Sequence, residues 1–185
     1  MRSLLLASSL VLLPAVALAQ RPPAPDLPQQ RQHMAEMQFL VGTWKGEAWM
    51  EMQPGQRQTF SSSEVVESRL DGLVLLIEGF HTGRLPGDTE DRVFHHAFGM
   101  LTWDEEAGNY SFRTKLVDGH GVDATGSLQD GKFVWSPGGS AGNQIRYTIG
   151  LDAEGRWAEI GERSTDGKTW TPFFGMTLAR VDTKK

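Results

Sequence analysis

The stretch Phe39-Leu-Val-Gly-Thr-Trp-Lys-Gly-Glu-Ala-Trp-Met50 decides the fold. An apolar run enters Gly42-Thr-Trp44 and continues as an alternating segment. A Gly-x-Trp at that point suits the first strand of a small closed β-barrel, with Trp44 as a plug at the barrel floor. Beyond Gly42 no convincing helical periodicity appears, and short strand-like runs alternate with turn residues. The expected strands cover 42–52, 58–70, 73–83, 92–103, 109–117, 122–128, 132–136, 144–151, 156–163 and 169–181. Asp71-Gly72, Asp118-Gly119, Asp130-Gly131, Glu154-Gly155 and Asp166-Gly167 supply tight turns between them. The fold class expected is all-β, an antiparallel meander of about ten strands. Such a meander can pair its last strand with its first and so remove its edges.

Upstream of that domain the composition changes twice. Met1 to Ala19 reads as a secretory signal peptide: Arg2 supplies the positive region, Leu4 to Val16 the apolar run, and Ala17-Leu-Ala19 the cleavage site. The apolar run is short for a membrane span, so no membrane insertion is expected after cleavage. The expected location is periplasmic or secreted. Residues 20–29 are rich in Pro and Gln and read as a flexible tether. Residues 30–182 form the single barrel domain, opening with one short helix over Gln30 to Gln38, where Met34, Met37 and Phe39 recur at helical spacing.

The chain has no Cys, which excludes disulfides, thiolate catalysis and Cys-ligated metals. It carries 18 Lys and Arg against 23 Asp and Glu, a net charge of −5. Loss of Arg2 with the signal leaves the mature protein at −6. A mildly acidic chain without a Lys/Arg run is not built to bind nucleic acid.

Parity along each strand selects lumen candidates. Phe94, His96, Phe98 and Met100 share one face of the fourth strand and form its heavier aromatic set, so His96 rather than His95 is expected inside. Tyr110 and Phe112 share a face of the fifth strand, and Tyr147 lies between Ile145 and Ile149 on the eighth. The second strand places Glu64 inward with Phe60 and Ser62. In the third strand both faces are apolar, leaving either Glu78 or His81 for the lumen. Trp170, Phe174, Met176 and Leu178 share one face of the last strand, and Arg180 follows in register. An inward Arg180 is well placed to stack on Trp44, completing a floor of Gly42, Trp44 and Arg180.

These residues resemble known barrels. Gly42-x-Trp44 with an Arg in the last strand is similar to the lipocalin arrangement, and the 39–45 segment is similar to the opening of intracellular fatty-acid-binding proteins. Leu40-Val-Gly-Thr-Trp-x-Gly-Glu47, Leu75-Leu-Ile-Glu-Gly79, Leu101-Thr-Trp-Asp-x-x-x-Gly-Asn-Tyr110 and Phe173-Phe-Gly-Met-Thr-Leu178 resemble the DUF1579 family. That resemblance implies a bacterial lipocalin-like barrel and assigns no catalytic residue. Its likeness to nitrobindin-type haem barrels stops at the Gly-Thr-Trp-x-Gly-Glu opening. Those barrels ligate haem through a late His; no His follows His120 here, so no cofactor is expected.

The other motifs point away from dedicated chemistry. His81, His95, His96 and His120 follow no metal-ligand spacing. Glu159 and Glu162 fall on opposite strand faces, unlike a glycosidase pair. No P-loop Lys or nucleophile elbow is present. The expected function is an exported barrel that holds a small apolar or amphipathic molecule, oriented by His96, Tyr147 and Glu64. Two alternatives stand beside it: an isomerase, lyase or cyclase using one lumen His or Glu, and a filled barrel acting through its surface.

Overall fold

Asp130 and Gly131 both take positive φ, 49° and 74°, the conformation that a two-residue hairpin turn of the favoured twist requires. Antiparallel hairpins, by turns of differing length, build the domain. The computed structural model describes residues 24–84 and 87–181; the expected signal segment lies outside them. Eleven strands follow one another: β1 (Gly42–Gln53), β2 (Gln56–Arg69), β3 (Val74–Gly83), β4 (Arg92–Asp104), β5 (Asn109–Leu116), β6 (Gly121–Gln129), β7 (Lys132–Ser136), β8 (Gly139–Ser140), β9 (Asn143–Leu151), β10 (Trp157–Ser164) and β11 (Thr171–Val181). Apart from the two-residue β8, each pairs antiparallel with its neighbours. Strand β11 pairs with β1 from Thr43↔Val181 to Met50↔Phe174, and β10 pairs with β9. The result is a closed ring of ten strands.

Departures from the expected strand limits have local causes. The last strand begins at Thr171 rather than Thr169 because Asp166 Oδ1 accepts from the Lys168 and Thr169 amides at 2.8 and 2.7 Å, extending the turn. The preceding strand begins at Trp157 because the Arg156 amide donates to Asp152 Oδ1 at 2.9 Å. Strand β8 lies in the gap between the expected strands 132–136 and 144–151.

One end of the ring is closed by α1 (Leu27–Glu36) and a short 3₁₀ turn, Gln38–Leu40. The helix starts three residues before the sequence expectation, so Leu27 to Gln29 are helix and not tether. Asp26 caps it, accepting from the Gln29 amide at 3.0 Å, and Pro28 stands in the first turn. Only Met34 of α1 is buried, so the helix is held by tertiary contacts rather than by an apolar face. Glu105 Oε2 accepts from the Asp26 amide and the Gln30 side chain, Arg31 donates to the Asp71 carbonyl, and His33 stacks on Trp103 with ring centroids 3.6 Å apart. Met34, Met37 and Leu40 are fully or almost fully buried under it, each worth roughly 1.5–3 kcal/mol.

The floor is assembled around Trp44. Its indole N–H donates to the Leu40 carbonyl at 2.8 Å, Trp157 meets it edge to face at 5.8 Å, and the Arg180 guanidinium lies 4.0 Å over its ring. That guanidinium also donates to the carbonyls of Val41 and Phe39. Gly42 sits beneath it at φ 141°, where a Cβ would run into Arg180 Nη1. Arg180→Ala should therefore lower the unfolding free energy by about 1 kcal/mol or more, and Gly42→Ala by at least as much through backbone strain. Urea denaturation of the two variants checks both; an unchanged midpoint would remove the stack from the stability of the floor.

A candidate ligand cup with two inward carboxyls

The register around the ring fixes which side chains face inward. Trp44 lies opposite Glu64 and Ala48 opposite Phe60; Glu64 lies opposite Gly79, and Ser62 opposite His81. The inner face continues through Gly79↔Ala97 and Ile77↔Gly99, Gly99↔Thr114 and Leu101↔Phe112, Phe133↔Ile149 and Trp135↔Tyr147, and Ile149↔Glu159. These residues do not fill the space they enclose. A cavity of about 410 Å³ remains, walled mainly by Ile, Phe, Trp and Met side chains. The filled-core alternative does not fit this lumen.

Small residues make the room. Gly99 lies under the Phe112 ring, where a Cβ would come within 2.6 Å of Cε2. Gly79 lies under the Glu64 carboxyl, where a Cβ would stand 2.5 Å from Oε1. Glu64 is 8 % exposed, lines the cavity, and accepts no hydrogen bond from any described residue. Burial pushes its pKa up to about 8, with the Glu159 charge adding to the effect. Glu159 faces the same space from β10. Burial lifts its pKa to about 7, opposed by a hydrogen bond from the Trp157 indole at 3.2 Å.

Nearer the end opposite the helix, His81 and His95 stack with centroids 4.7 Å apart. Burial, the neighbouring His95 second, drives the His81 pKa down to about 4, and burial also lowers that of His95. Ser62 Oγ joins His81 Nδ1 at 2.8 Å. Tyr147 stacks on Trp135 at 4.5 Å, and burial raises its phenol to about 12. Among the described residues no Lys or Arg lines the cavity, and no group of three or more His, Asp or Glu converges as a metal site.

Several expected lumen residues are elsewhere. His96, Phe98 and Met100 point outward: Phe98 is 45 % and Met100 37 % exposed. His96 stacks on Phe80 and joins Glu78 Oε1 at 2.8 Å on the outer surface, so Glu78 is outside as well. The physical reason is the register of the β4–β5 hairpin, which pairs Trp103 with Tyr110 and puts the odd-numbered residues of β4 inside. Phe94 does line the cavity, because a bulge between His81/Thr82 and Val93/His95 turns both Phe94 and His95 toward it. Phe112, Tyr147 and Glu64 line it too. Tyr110 faces inward but is used up at the floor, its hydroxyl donating to the His33 carbonyl at 2.8 Å. Sequence reasoning missed His95, Glu159, Trp135 and Trp157 as lining groups.

The two raised carboxyls predict a pH dependence of stability. A folded-state pKa above the unfolded value favours the fold below the unfolded pKa, and that stability is lost as pH rises through the folded pKa. His81 and His95, with lowered pKa values, act in the opposite sense, a contribution that fades as pH rises past about 6.5 and the unfolded imidazoles lose their protons too. Between about pH 6.5 and 8 the unfolding free energy should therefore fall, at up to ~1.4 kcal/mol per pH unit for each carboxyl. Glu64→Gln should flatten that slope; a slope identical to wild type would mean that Glu64 ionises normally.

No protein-family model matches the chain, and no curated protein matches it. Among solved structures it is similar to the S-type phycobiliprotein lyase CPES from Guillardia theta, with a TM-score of 0.53 and 15% identity over 86% of this chain and 100% of that one. At that identity the likeness shows the fold: a lipocalin-like barrel.

Proposed function

We propose that this protein is an exported lipocalin-like barrel of the DUF1579 kind that binds a small, mostly apolar molecule in its lumen. The observation that carries the reading is the cavity of about 410 Å³, within the range of small-molecule sites and with few polar groups among apolar walls. A helix seals one end, so a ligand enters from the other, past His81, His95 and Phe94. The reading takes no haem or other cofactor, and it places the mature protein in the periplasm or outside the cell. CPES is a lyase on a similar barrel, and an enzyme is the second reading here. The specific feature that favours it is the facing pair Glu64 and Glu159, which titrate near neutrality and so suit general acid–base work.

Nile red, a neutral apolar dye, tests the lumen. Wild-type protein should bind it with enhanced fluorescence, and Ala97→Phe, which fills the cup, should abolish binding while the protein still melts cooperatively. Unchanged binding in Ala97→Phe would move the site to the outer surface. Expression with the full N-terminus in a bacterium, followed by intact mass, tests export: the mature chain should begin at Gln20. For the enzyme reading, Glu64→Gln would have to cut turnover by orders of magnitude with little change in substrate binding.

A further inference from the structure

The lumen has an unusual charge inventory for an apolar cup. Two carboxyls, Glu64 and Glu159, face it, and no Lys or Arg among the described residues does. Arg180, which stacks on Trp44 at the floor, does not line it. The other titratable groups facing Glu64 are His81 on β3, His95 on β4 and Tyr147 on β9. At neutral pH all three are uncharged. An anionic head would therefore meet no counter-charge and two acids.

Glu64 is the decisive group. More than nine-tenths of it is buried, its carboxyl has no hydrogen-bond donor among the described residues, and Gly79 is kept free of a Cβ to admit it. That carboxyl opens onto the lumen without a protein donor, and a cation placed against it would supply the partner that the protein withholds. The Trp135–Tyr147 stack, Phe112 and Trp157 give the remaining wall faces of the kind that attract organic cations.

We propose that the ligand is an amphiphilic organic cation, an amine or quaternary ammonium on an apolar body, whose charged head seats between Glu64 and Glu159. This rests on the lumen-binding reading and narrows it. Entry of the head returns the carboxyls to their ionised form, so binding releases protons. Affinity consequently rises with pH up to the point at which free Glu64 is already ionised, about 8.

A matched series separates the two readings: decyltrimethylammonium, decanol and decanoate, titrated calorimetrically into the mature protein from about pH 6 to pH 9. The quaternary ammonium should bind roughly tenfold or more tighter than decanol at about pH 8, with decanoate weakest. Its Kd should fall by up to about tenfold per pH unit for each carboxyl that loses its proton on binding. The measured enthalpy should change with the buffer's ionisation enthalpy, reporting the released protons. Glu64→Gln, and independently Glu159→Gln, should erase much of the preference while decanol affinity stays within about threefold. If decanol or decanoate binds as tightly as the cation, the cation assignment is overturned and the ligand barrel stands. If none of the three binds, both fall.

Discussion

Closure of the ring is the constraint from which the rest of the molecule follows. The pairing of β11 with β1 over Thr43↔Val181 to Met50↔Phe174 leaves the ten ring strands without an unpaired edge. Every inward side chain must then share one enclosed volume, and each large ring needs a small partner beside it. Gly99 serves Phe112 in this way, and Gly161 serves Tyr147. The cup is the space left over after that matching. At the helix end, the floor around Trp44 converts an open tube into a vessel with one entrance.

Within that vessel the electrostatics and the architecture are one problem. A carboxyl is normally excluded from an apolar interior because ionisation there is expensive. Glu64 and Glu159 are retained, and their burial shifts them toward neutrality instead. The histidines respond oppositely, His81 staying neutral far below the usual range and His95 shifted in the same direction. Acids that hold protons and bases that shed them keep the charge of the lumen low at neutral pH. It gains negative charge as pH rises through the two carboxyl pKa values, or when a cation enters to balance it.

Much of this was legible in the residues. Asp-Gly dipeptides gave the hairpins, alternation gave the strands, and Gly42-Thr-Trp44 with Arg180 gave the floor. The facing of β4 runs against its aromatic pattern. A turn at Asp71-Gly72 joins the second and third strands in a register that pairs Glu64 with Gly79. Placing Glu64 inside therefore also places His81 inside and Glu78 outside. The same logic across the turn at 105–108 pairs Leu101 with Phe112. An inward Phe112 is incompatible with an inward His96 set. Aromatic weight and hairpin register point to opposite faces of β4, and register prevails because a barrel with a cavity needs its lightest residues, here Ala97 and Gly99, along part of the wall. The bulge at Phe94 was not legible, because nothing in Val93-Phe-His-His96 marks the extra residue. Glu159 was visible as an alternating position, but the lumen-facing parity of β10 depends on the long register with β9 and β11.

The floor has a further consequence for anyone who handles this molecule. Helix α1 enters beside the turn at Glu105, and β11 leaves beside Gly42, so both ends of the described domain emerge on the sealed side. An affinity tag, a fluorescent fusion or a surface linker attached at either end would hang from the base of the cup. Immobilised in that way, the barrel would stand with its entrance facing the solvent, the orientation that a biosensor or a display scaffold requires.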